Sequence, residues 1–305
     1  MSGVIGWEVL SITKVGLIGI GTMGSNMART LIAADYPVVG RDIDPGAEAR
    51  AREMGVEMVD SPAEVSRRAD IVLLSLPLPS DVDAVVVGPD GILSVPKAGG
   101  VIVDLSTVDP FTTQRNAAKA AEKGMAYLDA PVLGRPPKCG NWTLPVGGPE
   151  ETLEKWRSVL EVLAKKVIRV GPSGHGNIVK ILNNMMFGAI NAVTAEIMAL
   201  SAKFGLSPAI LFNTICDSGA ASVSGLFKEL GPKMLSRDFS PLFSINLLHK
   251  DMQLGIDMAR KAGAPLFVGA ANQLLNDLAR SRGLGAEDTS AVVKVYEEIL
   301  NVTVC

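Results

Sequence analysis

The sequence predicts an α/β protein, a doubly wound parallel sheet followed by an all-α region, and three observations predict it. Short apolar strands alternate with helical segments from about Ile12 to Val170. A glycine-rich turn stands directly between the first strand and the first helix. Beyond Gly171-Pro172-Ser173-Gly174 the strand pattern stops and long helical patterns take over. The expected division is a sheet domain over residues 1–172 and an all-helical domain over 173–305, with a long helix at about 176–204 joining them.

The first strand, Lys14-Val15-Gly16-Leu17-Ile18, runs into Gly19-Ile20-Gly21-Thr22-Met23-Gly24, and the helical stretch Ser25–Leu31 follows at once. In a G-x-G-x-x-G turn the first glycine permits the tight turn and the second lets backbone approach a pyrophosphate. The third lets helix pack closely on strand. The helix N-terminus adds unpaired N–H groups and the positive end of a dipole. Residues 1–172 therefore read as a Rossmann dinucleotide-binding domain, with Gly19, Gly21, Thr22, Met23 and Gly24 around the phosphates.

The second strand, Tyr36–Asp42, ends with a carboxylate at about the expected 20-residue distance, where it accepts bonds from the adenosine ribose and repels a 2′-phosphate. Asp42 therefore points to NAD. Its neighbour Arg41 keeps NADP as the alternate, because an arginine there can accommodate the phosphate. The competing reading makes Asp42 and Asp44 mere caps of the next helix. Ser61-Pro62-Ala63-Glu64 has the form of a capping box with proline at the first helical position, and Asp109-Pro110 opens a helix in the same way. Ile71–Leu76 and Val101–Leu105 are near-continuous apolar runs, as parallel strands covered on both faces should be. Thr152–Lys166 is an amphipathic helix and Val167–Val170 closes the sheet. The helical region reads as helices at about 176–204, 208–217, 243–262, 265–281 and 288–300. The first of these is apolar around nearly its whole circumference and is expected to be buried on all sides.

The formal net charge of -3 leaves no basic field for nucleic acid. No uncharged apolar run of about 18 residues occurs, so no membrane span is expected. Residues 1–11 lack a basic n-region and carry Glu8, so they read as a short extension rather than a signal peptide. Three widely spaced cysteines, Cys139, Cys216 and Cys305, fit a reducing cytoplasm. With two histidines, His175 and His249, neither a His-based zinc site nor a Ser/His/Asp triad is expected.

Lys180, Asn184 and Asn191 fall on one face of the long apolar helix. A lysine buried there would have a lowered pKa and could trade a proton near neutral pH. The plainer reading is a lysine snorkelling from the first turn, with asparagines bonded to loops.

The glycine turn, Asp104-Leu105-Ser106-Thr107, Asp129-Ala130-Pro131-Val132, the stretch Gly174–Asn184 and Lys250-Asp251 occur in that order. Together they resemble the β-hydroxyacid dehydrogenase family, typified by 3-hydroxyisobutyrate dehydrogenase, tartronate semialdehyde reductase and the glyoxylate and succinic semialdehyde reductases. The resemblance spans about residues 13–300. It implies Lys180 as the general acid/base and Asn184, Ser106 and Thr107 as substrate contacts, with Thr107 also near the nicotinamide. It implies Leu76 and Pro77 lining the cofactor, and Phe243, Lys250 and Asp251 on a helical-domain segment that closes over the site. The family's Asn-Arg pair for NADP is Asp42-Ile43 here, which again favours NAD. One departure stands out. The family's Ser-Gly-Gly after Asp-Ala-Pro-Val is Leu133-Gly134-Arg135 here, and Arg135 could clamp a substrate anion beside Gly134 or be a solvated loop residue. The expectation is a cytoplasmic, NAD-dependent homodimer or homotetramer that oxidises a small anionic hydroxyacid or reduces the semialdehyde. An imine reductase and a non-catalytic cofactor-binding scaffold are the alternatives, and Lys180 argues against both.

Overall fold

The computed structural model describes residues 13–219 and 222–305. The extension expected at residues 1–11 lies outside them. By packing, the chain divides into two units, one up to Ile178 and one from Val179 to Cys305.

The first unit is built on eight strands: β1 (Val15–Ile18), β2 (Val38–Arg41), β3 (Glu57–Met58), β4 (Ile71–Leu74), β5 (Val101–Asp104), β6 (Ala126–Asp129), β7 (Trp142–Gly147) and β8 (Ala164–Gly171). Their order across the sheet is β3-β2-β1-β4-β5-β6-β7-β8, the doubly wound order extended by two strands. Pairing is parallel throughout except where β7 meets β6. Six helices connect the strands: α1 (Thr22–Ala33), α2 (Pro45–Glu53), α3 (Pro62–Arg68), α4 (Pro79–Val87), α5 (Pro110–Glu122) and α6 (Glu150–Leu163).

Both sheet faces are buried, which explains the continuous apolar runs. Leu17, Leu73, Val103 and Leu128 pack on one side with Met27 and Leu31 of α1 and Leu160 of α6. Ile18, Leu74, Ile102 and Tyr127 pack on the other with Val65 of α3 and Val82 and Val86 of α4. The caps act locally. Ser61 Oγ accepts the Glu64 N–H at 3.2 Å, and Asp109 accepts from Phe111 and Thr112. The return half of the expected capping box is absent, because the Glu64 carboxylate pairs with Arg67 and Arg68. Helix α6 stops at Leu163, three residues before the expected end, because Ala164–Lys166 already pair with β7.

The second unit is helical. Helix α7 (His175–Lys203) begins in the first unit and continues through it. Then come α8 (Pro208–Asp217), α9 (Gly225–Ser236), α10 (Ile245–Lys261), α11 (Phe267–Ser281) and α12 (Val293–Leu300). The periodicity reading missed α9, whose Gly231 and Pro232 look like breakers. Packing overrides propensity here. Ser224 Oγ caps the helix at the Phe227 N–H, 2.9 Å away, and Phe227, Leu230 and Met234 are buried. Gly231 is needed for contact, since a Cβ there would lie 2.2 Å from the Phe212 ring.

Helix α7 is not buried on all sides, as its composition suggested. Leu182, Met186 and Val193 are 52%, 60% and 51% exposed, and Leu200 is exposed with them. At 100° per residue these four fall within about 40° of one another. The opposite face carries Asn184 and Asn191, both buried. By length and composition alone α7 would suffice to cross a membrane. Its buried polar face marks it instead as a core helix of this unit.

The start of α7 is held by Asp129, at the end of β6. Its fully buried carboxylate accepts the N–H groups of Gly174, at 2.8 Å, and Asn177, at 3.0 Å, so a strand side chain does the work of an N-cap. Burial pushes its pKa up to about 6, against those two donors, and the nearby Asp104 pushes the same way. The folded value lies above the unfolded one. The stability Asp129 contributes is therefore complete below about pH 4 and lost as pH rises through about 6, at about 1.4 kcal/mol per pH unit. In urea unfolding, the stability of the parent minus that of Asp129→Asn should fall by about 3 kcal/mol between pH 4 and 6.5, then level off. Parallel pH profiles would show that Asp129 does not titrate there.

Candidate active site

The first unit collects its candidate residues at the carboxyl ends of the strands, where open α/β sheets bind ligands. At the end of β1, Gly19 takes φ +87°, and a Cβ there would lie 2.2 Å from the Ser75 carbonyl oxygen. A Cβ on Gly24 would lie 2.0 Å from the carbonyl oxygen of Gly19. Gly21 differs, because a Cβ there would meet nothing within 4 Å. Two glycines close the turn, and the third leaves open space at the mouth of α1. That helix has no side-chain cap and no acidic residue in its first turn. Its leading N–H groups, with Thr22 and Met23 beside them, stay available to an anion. The turn fits a dinucleotide pyrophosphate.

Asp42 follows β2 and reaches back to this turn. Its Oδ2 accepts the Ile20 N–H at 2.5 Å and its Oδ1 the Asp44 N–H at 2.9 Å. Asp44, not Asp42, caps α2. Arg41 turns toward α2, where it pairs with Glu48. Ile43, where an NADP enzyme of the resembling family carries arginine, is 92% exposed.

After β4 come Leu76, half-buried, and Pro77, exposed. Ser106, after β5, is buried, and its Oγ accepts the Leu76 N–H at 2.9 Å. The turn that carries Ser106 and Thr107 is fixed from below. Buried Asp104 accepts the Ser106 N–H at 2.9 Å through one oxygen and the Tyr127 hydroxyl at 2.9 Å through the other. Burial, and then Asp104 itself, push the Tyr127 pKa well up, so the phenol remains a donor. Buried Asn177, in the first turn of α7, accepts the Val108 N–H at 3.2 Å next to Thr107 and donates to Thr113 at 3.1 Å. Asp104, Tyr127, Asp129 and Asn177 were given no role from sequence. The available signal was a charge ending an otherwise apolar strand, Val101-Ile102-Val103-Asp104.

The Gly134–Arg135 loop is tied to β7. The Arg135 carbonyl accepts the Trp142 indole N–H at 2.8 Å and the Lys138 N–H at 2.9 Å. A Cβ on Gly134 would lie 2.2 Å from the Trp142 ring. The backbone that carries the half-buried Arg135 is therefore held on both sides and followed by two prolines.

In the second unit, Lys180 and Asn184 lie one turn apart on α7. The Asn184 amide donates to Asp251 Oδ2 at 2.5 Å, and Lys250 Nζ sits 2.8 Å from Asp251 Oδ1. Asp251, on α10, is buried, so it orients the carboxamide and partly neutralises itself against Lys250. The Phe243 ring meets Phe187 of α7 edge to face, centroids 5.5 Å apart. Asn191 does not join this group. Its amide donates to the Thr289 carbonyl at 2.9 Å and so holds the turn before α12.

Comparison with known proteins matches this arrangement. A family model described as the NAD binding domain of 6-phosphogluconate dehydrogenase covers residues 14–171. One described as NAD-binding of NADP-dependent 3-hydroxyisobutyrate dehydrogenase covers residues 174–296. The 2-(hydroxymethyl)glutarate dehydrogenase of Eubacterium barkeri is 37% identical over 95% of this chain and 97% of its own length. The chain belongs to the β-hydroxyacid dehydrogenase family. The L-threonate dehydrogenase of Cupriavidus necator is 33% identical over 94% of this chain and 97% of its own. A solved Mycobacterium tuberculosis 3-hydroxyisobutyrate dehydrogenase with L-serine superposes with a TM-score of 0.84 at 30% identity, covering 93% of this chain and 99% of its own. This β-hydroxyacid dehydrogenase is thus an oxidoreductase that acts on CH–OH groups and moves a hydride between a nicotinamide cofactor, NAD(P), and a small hydroxyacid.

The glycine geometry separates folding from binding. Gly24→Ala should destabilise the first unit by about 1–3 kcal/mol, because backbone must move. Gly21→Ala should leave the thermal midpoint within about 2 °C of the parent, since small surface changes cost little. It should nevertheless weaken dinucleotide binding at least about tenfold, because its methyl occupies the phosphate approach. Calorimetric titration beside thermal melts checks both, and normal cofactor affinity in Gly21→Ala would put the phosphates elsewhere.

Proposed function

We propose that this dehydrogenase prefers NAD and acts on a β-hydroxy carboxylate through Lys180, Asn184, Ser106, Thr107, Gly134, Arg135 and Phe243. Gly19, Gly21, Thr22, Met23, Gly24, Asp42, Leu76, Pro77, Thr107, Lys250 and Asp251 form the cofactor side of this reading, whereas Arg41, also expected there, is drawn away by its pairing with Glu48. One observation carries it. The single lysine on the buried polar face of α7 stands one turn from an asparagine whose amide is oriented by a buried, ion-paired aspartate. Imine reductase chemistry and a non-catalytic scaffold are not favoured, because the two relatives at 37% and 33% identity are hydroxyacid dehydrogenases over nearly their whole length.

The bound nicotinamide supplies the hydride acceptor or donor. Lys180 Nζ takes the hydroxyl proton during oxidation and returns it during reduction. Asn184, whose amide is held by Asp251 and whose carbonyl oxygen also accepts the Asn183 amide at 3.1 Å, offers its carboxamide to the same hydroxyl. Ser106 and Thr107 present hydroxyls from a turn that Asp104 and Asn177 hold rigid, so less order must be imposed when substrate arrives. The three relatives named above have one motif in common in the compounds that name them, a hydroxyl on the carbon β to a carboxylate. The Eubacterium barkeri compound carries a second carboxylate. Arg135, on its braced backbone, suits such an additional anion.

The apolar stripe of α7 supports a homo-oligomer in which a second copy covers Leu182, Met186 and Val193. A monomeric mass by light scattering would overturn that. The three unpaired cysteines support a reducing, cytoplasmic setting.

A panel of β-hydroxyacids with NAD tests the activity. With the best substrate, Lys180→Ala should lower kcat about 10²–10⁴-fold with cofactor affinity nearly unchanged. A kcat within a few-fold of the parent would remove Lys180 from the mechanism. Arg135→Ala should raise KM about 30–1000-fold for an anionic substrate, the loss of a charge-assisted contact of about 2–4 kcal/mol. A methyl ester analogue should be indifferent to it. Equal losses for both substrates would make Arg135 a structural residue.

A further inference from the structure

The end of β2 holds an arginine and an aspartate side by side, and the two make opposite demands on the cofactor. Asp42 repels a 2′-phosphate, whereas Arg41, one residue away, carries the group that would bind one. The resolution lies on α2. The half-buried Glu48 carboxylate takes the Arg41 guanidinium at 2.5 Å through Oε1, and the same guanidinium nitrogen is bonded to the Asp42 carbonyl. The Arg41 and Glu48 side chains are only 27% and 17% exposed. Glu48 holds Arg52 through its other oxygen at 3.2 Å, one helical turn on. Glu48 is itself fixed, because α2 is capped by Asp44, and Asp44 is fixed in turn by Asp42.

We propose that Glu48 is a specificity-determining residue for the cofactor. It is a positioning residue that acts through Arg41. By pairing with the guanidinium, it folds Arg41 back onto α2 and leaves Asp42 as the side chain that meets the adenosine ribose. A 2′-phosphate would then have to break a partly buried ion pair to gain its cation, while also meeting the Asp42 charge. Removing Glu48 frees Arg41 for that phosphate, while NAD, which lacks it, neither gains nor loses. The proposal rests on the NAD-preferring reading and goes beyond it. That reading assigns discrimination to the charge of Asp42, and this one assigns a share to a residue six positions further along the chain.

The test is calorimetric binding of NAD and NADP to the ligand-free protein, so it does not depend on substrate or turnover. In the parent, NAD should bind more tightly, and Arg41→Ala should change NADP affinity less than about twofold. Glu48→Ala should tighten NADP by about tenfold, the worth of one charge-assisted contact of about 1.4 kcal/mol. NAD affinity should stay within about twofold. Glu48→Gln keeps the shape of the side chain without its charge and should move in the same direction. In the Glu48→Ala background, Arg41→Ala should abolish the whole gain, which makes the two positions a coupled cycle. If Glu48→Ala and Glu48→Gln leave the NADP/NAD ratio at its parental value, or weaken both cofactors alike, the proposal is wrong and the pair is structural. If the parent itself binds NADP more tightly, the NAD reading fails, and that outcome is seen before any variant is made.

Discussion

The carboxylate of Asp129 is the constraint from which most of the site's order follows. It sits at the end of β6, fully buried, and its two oxygens close the first turn of α7 through Gly174 and Asn177. Without it the N–H groups of Gly174 and Asn177, at a buried helix start, would go unsatisfied. The start of α7 must also come very close to the sheet. A Cβ on Gly176 would lie 2.5 Å from the Pro145 carbonyl oxygen and 2.6 Å from that of Asp129. The glycines of the Gly174–Asn184 stretch are therefore steric requirements of this junction. Once it is made, Asn177 is in place to hold Val108 and, with it, the turn that presents Thr107.

The same economy governs the strand ends. Polar side chains there are occupied with backbone, and each bond fixes a loop. Asp42 holds the glycine turn at Ile20, Ser106 holds Leu76, and Asp104 holds Ser106. The first two are long-range bonds between loops that follow different strands and the third is local to one turn, so the binding edge is ordered before any ligand arrives. The cost is a set of buried carboxylates. It shows in the raised pKa of Asp129 and is offset at Asp104 by the Tyr127 hydroxyl.

Helix α7 serves two purposes, and its sequence reflects both. One face carries Lys180, Asn184 and Asn191, with Asn184 answered by Asp251 on α10 and Asn191 by the turn before α12. The opposite face is an apolar stripe left open in the single chain. Composition adds the two faces together and reads the helix as greasy on all sides. The structure shows an inner surface that is both apolar and polar, and an outer apolar one that is exposed among the described residues.

Much of this was legible from residues. The Rossmann turn, the strand-helix alternation, the proline-led caps at Ser61 and Asp109 and the change to helices near residue 172 are local signals. Each works through neighbouring atoms: a φ only glycine adopts readily, an N–H met three residues away, a side-chain period of two or 3.6. The placement of Lys180 and Asn184 on one face of α7 was legible for the same reason, whereas Ser106 and Thr107 stood out only through the family resemblance. Tertiary structure alone decided that α9 forms despite Gly231 and Pro232, that α6 yields three residues to β8, and that β7 runs against β6. It alone paired Asp129 with α7, Asp104 with Tyr127 and Glu48 with Arg41. Each of these depends on groups brought together by the packing of separate elements, where burial and contact outweigh local preference, and a single sequence carries no record of which distant side chain will be the partner.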